Sequence, residues 1–159
     1  MKRFFLLAIS ALMIAAASWA RTADDIISEL RDAKHAQYVN VGSGLMGLAR
    51  IFSAAIPNSN SGVSSIRMLD LSDCKGSVRD KFRKRVRDLY KEPSYQEMLT
   101  SNKDNDSSVV FTLGDEQFVN EIVVVRTGDA SDLIVVIRGH ISVEDVMKVV
   151  GDNTYYPIK

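Results

Sequence analysis

The chain has 159 residues, with 20 basic and 20 acidic side chains, a formal net charge of zero and one cysteine. That balance argues against a nucleic-acid partner, which calls for a basic excess, and gives no long-range pull toward an anionic surface. A single cysteine excludes an internal disulfide, and the length fits one domain with a sizeable core.

Met1-Lys2-Arg3 is a short basic start, and Phe4 to Ala17 is apolar apart from Ser10. Ser18 and Ala20 put small residues where a signal peptidase reads them. The apolar run is shorter than the roughly 20 residues of a transmembrane helix. We therefore expect a signal peptide over 1–20 and a single domain over 21–159, exported to the periplasm or secreted. Removing 20 of 159 residues leaves 139, and 18 basic residues then face 20 acidic ones, a charge of −2. No cysteine stands at the cleavage point, so a lipid anchor is not expected.

Thr22-Ala-Asp-Asp25 reads as a capping box opening a helix to about Ala36, with Ile26, Ile27, Leu30 and Ala33 on one side. Tyr38–Val41 is a short strand. Gly44–Ile56 reads as a helix that is apolar nearly all round, with Arg50 its one charge, and so calls for cover on several sides. Pro57-Asn-Ser-Asn-Ser-Gly62 is a loop, and Val63–Leu71 is a strand. Ser77-Val-Arg-Asp80 reads as a second capping box, for a helix to about Tyr90 with Val78, Phe82, Val86 and Leu89 inward. Pro93 stops it.

Four strand-like runs follow: Tyr95–Thr100, Ser108–Leu113, Phe118–Arg126 and Leu133–Arg138. Their short polar connectors, Asn102–Asp106, Gly114–Gln117 and Thr127–Ser131, favour antiparallel hairpins, because a parallel crossover needs a dozen residues or more. Ile122–Val125 and Leu133–Ile137 are continuous apolar runs and read as central strands covered on both faces. Ser142-Val-Glu-Asp145 caps a last helix that Gly151 ends. The expected class is α+β: two layers, with helices on a largely antiparallel sheet and a C-terminal four-strand meander followed by a helix.

The runs Tyr95-Gln-Glu-Met-Leu99, Asn102–Asp106, Val109-Val-Phe111, Asn120–Val124, Leu133–Val136, Gly139 and Ile141–Val146 carry a family resemblance. Together they resemble the domain-of-unknown-function 4252 family, small exported proteins of Bacteroides-type bacteria. The resemblance covers about Asp24–Val150 and is strongest after Tyr95. It implies a signal peptide, a mixed first half and a second half of this texture, and it implies no activity and no catalytic residues. The family includes lipoproteins, from which this chain departs by lacking the anchoring cysteine.

Several patterns touch on chemistry. Gly42-Ser-Gly44-Leu-Met-Gly47 follows a strand and opens a helix, with Asp70 further on, as in a dinucleotide site. Export and the antiparallel second half speak for a plainer reading, in which the glycines serve turning and close packing. Lys75, Arg79, Lys81, Arg83, Lys84, Arg85, Arg87 and Lys91 crowd the Ser77–Tyr90 helix, and Arg79, Arg83 and Arg87 stack at i, i+4 and i+8. Like charges at that spacing repel slightly. The face is either simply solvated, with Asp80 and Asp88 four residues either side of Lys84, or an anionic-partner surface formed by Arg79, Arg83, Lys84 and Arg87. Asp104, Asp106, Ser108 and Asp115 fit a calcium loop poorly, since its glycine is missing. Two histidines, His35 and His140, are too few for a zinc site, and Cys74 reads as a buried apolar group.

No catalytic, metal or cofactor set is therefore assigned, and no cofactor is expected. The leading expectation is a non-catalytic envelope protein that binds a protein, lipid or polymer. The alternative is a hydrolase whose carboxylate pair is drawn by folding from Asp70, Asp73, Glu97 and Glu121.

Overall fold

In the computed structural model, residues 22–42 and 62–146 are described. Helix α1 spans Ala23–Leu30, and its predicted capping box is in place. The Asp25 N–H donates to Thr22 Oγ1 (3.3 Å), and the Thr22 N–H donates to Asp25 Oδ2 (2.8 Å). Ala23, Ile26, Ile27 and Leu30 are buried. The helix stops well short of Ala36 because the apolar stripe ends at Leu30 and the charged residues that follow face solvent. The chain turns through 31–36, with His35 left-handed at φ 72°, and enters the sheet.

Strands β1 (Gln37–Gly42) and β2 (Gly62–Asp70) pair antiparallel, with Val39 opposite Met68. The sequence-read helix over 44–56, the loop over 57–61, and the glycine motif beyond Gly42 lie outside the described residues. So does everything before Thr22.

Helix α2 spans Gly76–Leu89 and buries Phe82, Val86 and Leu89. Its N-cap is Lys75, with no side-chain cap bond, so the predicted Ser77 box is corrected. The turn from Leu71 to Cys74 starts the helix early enough that Ser77 falls inside its first turn, where its hydroxyl is past the capping position.

The remaining strands are β3 (Gln96–Lys103), β4 (Asp106–Gly114), β5 (Phe118–Thr127) and β6 (Leu133–Ser142). Each runs past its predicted end. The β3–β4 link shrinks to Asp104-Asn105, a two-residue turn with Asp104 left-handed at φ 54°. Asp tolerates that region because its short side chain can hydrogen-bond locally. Residues 143–146 begin a third helix, α3, where the Asp145 N–H donates to Ser142 Oγ (3.2 Å).

The six strands form one sheet in the order β1-β2-β6-β5-β4-β3, with every neighbour antiparallel. The expected meander is therefore β3 through β6, and the fold is a mixed α/β body. Leu69, Val109, Phe111, Val123, Val125, Ile134 and Val136 share a cluster with the buried faces of α1 and α2. The opposite sheet face presents Ile66, Met68, Val110, Ile122, Val124, Val135 and Ile137, all half-buried, so β5 and β6 are fully covered on one face only. A smaller cluster of Val119, Ile141 and Val146 packs with Met98, Ile122 and Ile137. Beside it, β2 and β6 approach so closely that a Cβ on Gly139 would lie 2.7 Å from Val63 Cα.

Candidate functional site

Two charged clusters and one basic stripe carry the polar chemistry of the described body. The first cluster joins α2 to the β5–β6 loop. Asp132 is fully buried, and its carboxylate accepts from two arginines one helical turn apart. Arg79 Nε donates to Oδ2 (2.5 Å), Arg83 Nε donates to Oδ1 (3.0 Å), and Arg83 Nη2 also reaches Oδ2 (3.1 Å). Both guanidiniums donate to the Gly128 carbonyl as well, at 2.7 Å each. The backbone of Asp132 closes the arrangement: its carbonyl accepts from the Leu71 N–H (2.8 Å) and its N–H donates to Ser72 Oγ (3.3 Å). The hydrogen bond to Asp132 makes Arg83 hold its proton more firmly than usual.

The second cluster lies under the N-terminus of α1. Glu121 is buried on β5, and Arg138 faces it from β6 in register. Arg138 Nε donates to Glu121 Oε2 (2.7 Å), and Tyr95 donates its hydroxyl proton to Oε1 (2.6 Å). The same Tyr95 oxygen accepts the Ala23 N–H (3.2 Å). Arg138 Nη2 also donates to Asp24 Oδ2 (2.5 Å), and Arg67 pairs with Asp24 Oδ1. Burial, and next the bond to Glu121, push the Tyr95 phenol well above its ordinary range.

Of the predicted anionic-partner residues, Arg79 and Arg83 are bound to Asp132, whereas Lys84 and Arg87 point outward and are exposed. Their helix neighbours are engaged: Lys81 and Arg85 both reach Glu29 on α1, at 2.9 and 2.7 Å. Arg85, and next Lys81, draw the Glu29 carboxyl from 4.5 down to about 2. Asp88, expected to balance Lys84, instead lies near Arg85 (3.9 Å) and Lys91 (3.7 Å).

The four carboxylates read as a possible pair each have a partner of their own. Asp70 Oδ1 accepts the Ser72 N–H and hydroxyl at the end of β2. Asp73 accepts from Gln37 on an exposed loop, and Glu97 pairs with Thr100 on the edge strand. Glu121 stands five residues along the β6 register from Asp70, roughly 17 Å at 3.4 Å per residue. A glycosidase pair sits within about 10 Å. The carboxylate that does share a partner with Glu121 is Asp24, through Arg138.

Asp106 opens β4 and Asp115 follows its last residue, roughly 30 Å along the strand, so they do not converge on one cation. Among the described residues, no three His, Cys, Asp or Glu side chains gather to hold a metal ion. Cys74 is buried, and burial, followed by the nearby Asp70 and Asp73, raises its thiol pKa. A thiol so placed is a poor nucleophile. No helix among the described residues is long and apolar enough to cross a membrane.

Sequence reasoning missed Asp24, Arg67, Tyr95, Asp132 and Arg138. A signal was present for two of the network residues. Period two places Glu121 on the face of Val123 and Val125, and Arg138 on the face of Ile134 and Val136. A charge on a core face calls for an opposite partner.

The family model described as a domain of unknown function, DUF4252, matches residues 29–149. No curated protein and no solved structure matches the chain.

Proposed function

The chain belongs to the DUF4252 family, and from that premise we propose that it is an exported envelope protein acting as a binding module rather than a catalyst. On this reading the two-layer body presents an outward basic stripe, centred on Lys84 and Arg87, to an anionic protein, lipid or polymer. The observation that carries it is the engagement of the buried carboxylates. Glu121 and Asp132 are each held by arginines on both oxygens or by an arginine and a tyrosine, an arrangement that fixes secondary elements to one another. Lys84 and Arg87 are left facing outward on α2, with Asp80 the exposed acidic residue one turn before them. Charge-only recognition is salt-dependent and weak per pair, so partner capture should fall as ionic strength rises.

Two measurements test the proposal. Fractionation with N-terminal sequencing should find the mature chain outside the cytoplasm, starting at Arg21. Lys84→Glu with Arg87→Glu should abolish association with anionic vesicles or envelope polymer while leaving the melting temperature unchanged. Full retention of association in that double variant would remove the basic stripe from consideration.

A further inference from the structure

We propose that the free edge of β3 is a docking site for an acidic polypeptide segment, which adds there in extended form as a seventh strand; this deepens the binding-module reading above and rests on it. β3 ends the sheet, with β4 on one side and no strand among the described residues on the other. It is eight residues long, contains no proline, and all but Met98 are exposed. Its one irregularity lies between Glu97 and Leu99, which leaves Leu99–Lys103 as regular strand. Such an edge offers unpaired N–H and C=O groups to another chain, and native sheets usually shorten, cover or charge it.

The two faces beside this edge specify what fits. On the face away from the helices, an apolar row crosses every strand: Val39, Met68, Val135, Val124, Val110 and Leu99 stand opposite one another in register. The row ends at Leu99, which is 39% exposed. An apolar residue of an added strand, placed opposite Leu99, continues it, and cross-strand pairs of this kind stabilise sheets. On the helix face, Arg83, Arg87 and the C-cap residue Tyr90 follow one another at i, i+4 and i+7 of α2. Arg83 reaches the Gly128 carbonyl, Tyr90 lies edge-on to Phe111 of β4 with ring centroids 4.9 Å apart, and the Tyr90 hydroxyl lies by Thr100 of β3. Lys81 and Arg85 turn the other flank of α2 to α1, which sits over β2 and β6 through Asp24. The Arg83–Tyr90 row therefore overlooks the free edge, with exposed Arg87 at its centre. Of the acids nearby, Glu97 accepts from the Thr100 hydroxyl, and Asp106 stands opposite Lys103 in register. Arg87, three residues from Lys84, is left to meet carboxylates on the helix side of the added strand. The ligand is thus an extended segment in which apolar and acidic residues alternate. A polypeptide carries backbone groups at the spacing that completes the ladder, and a lipid or glycan does not.

The test is fluorescence anisotropy on the full chain, with a labelled, end-capped ten-residue peptide alternating valine and glutamate. Its counterpart carries lysine for glutamate. The glutamate peptide should bind and slow amide exchange along Leu99–Lys103. Leu99→Asn and Arg87→Glu should each weaken it about threefold or more, with melting temperatures unchanged. Arg87→Glu should also move preference toward the lysine peptide, a gain that an unfolded variant would not show. Equal binding of both peptides by the parent would overturn the acidic assignment, and binding without protection of β3 would overturn strand addition. A dimer by sedimentation, with the β3 amides protected before peptide is added, would name a second copy as the occupant and overturn the proposal. If no peptide binds while anionic vesicles still require Lys84 and Arg87, strand addition falls and the basic stripe stands. If neither peptide nor vesicle binds, both fall.

Discussion

Replacing Asp132 with alanine should lower the stability of the domain by about 2–3 kcal/mol. Removing one member of a buried ion pair costs about 3–5 kcal/mol, because the partner is left charged and unpaired. Here the partners are not wholly buried. The side chains of Arg79 and Arg83 are 20% and 32% exposed, so both can recover some hydration, and the lower figure follows. The Gly128 carbonyl also remains to accept from both. For a domain of this size the loss corresponds to roughly 6–12 °C in melting temperature. Urea unfolding is the assay, with an unchanged slope showing that the native and denatured states keep their exposed surfaces. A double-mutant cycle sharpens the test: Arg83→Ala should be clearly destabilising in the parent and markedly less so once Asp132 is alanine, where only its bond to the Gly128 carbonyl is left to lose. If Asp132→Ala stays within about 0.5 kcal/mol of the parent, the clamp is not what holds the β5–β6 loop, and the reasoning fails.

Three further outcomes are expected. The folded pKa of Glu29 is depressed, so its contribution is present above 4.5 and disappears as pH falls toward about 2. Because the Glu29 pairs are largely solvated, that contribution is about 0.5–1 kcal/mol, and Glu29→Gln should flatten the stability profile across this window. The Tyr95 pKa is raised, so its contribution is intact below the ordinary phenol value of 10.0 and is lost as pH rises through the folded value. Ultraviolet titration should show one tyrosine ionising only with unfolding, and Tyr95→Phe should remove that phase while costing about 1 kcal/mol. Gly128→Ala should destabilise by about 1–3 kcal/mol in thermal melts, since the added Cβ would sit 2.7 Å from Asp106 Cα on the neighbouring hairpin.

Elements whose signal is local were legible in the sequence. The Thr22 capping box, the Phe82–Val86–Leu89 stripe and the four C-terminal strands follow from periodicity and short polar connectors. Boundaries were less legible where tertiary pairing extends a strand. Asn102 and Lys103 look like turn residues, yet Ser107 and Asp106 lie opposite them in the ladder. The Ser77 box failed for a related reason: the turn before α2 sets the helix start at Lys75, and no local motif records that. The ion clusters were the least legible. Arg79 and Arg83 find their carboxylate 53 and 49 residues away, in a segment that reads only as a polar link. Nothing in the spacing of the arginines names Asp132.

That long-range pairing changes what the basic helix can mean. Arginines at i and i+4 repel when both face solvent, which invites a search for an external anion. In this fold Asp132 supplies the anion internally, so the spacing of Arg79 and Arg83 is explained without a partner. Glu29 does the same for Lys81 and Arg85, linking α2 to α1. Lys84 and Arg87, three residues apart on the exposed side, have no ion pair among the described residues. A charge reversal that includes Arg79 or Arg83 would break the clamp and any partner contact together, and a loss of association would then report misfolding as readily as recognition. Reversal of Lys84 and Arg87 alone separates the two. Unchanged stability with lost association assigns the stripe to a partner. Unchanged stability with unchanged association makes α2 an internal strut whose charge serves the fold.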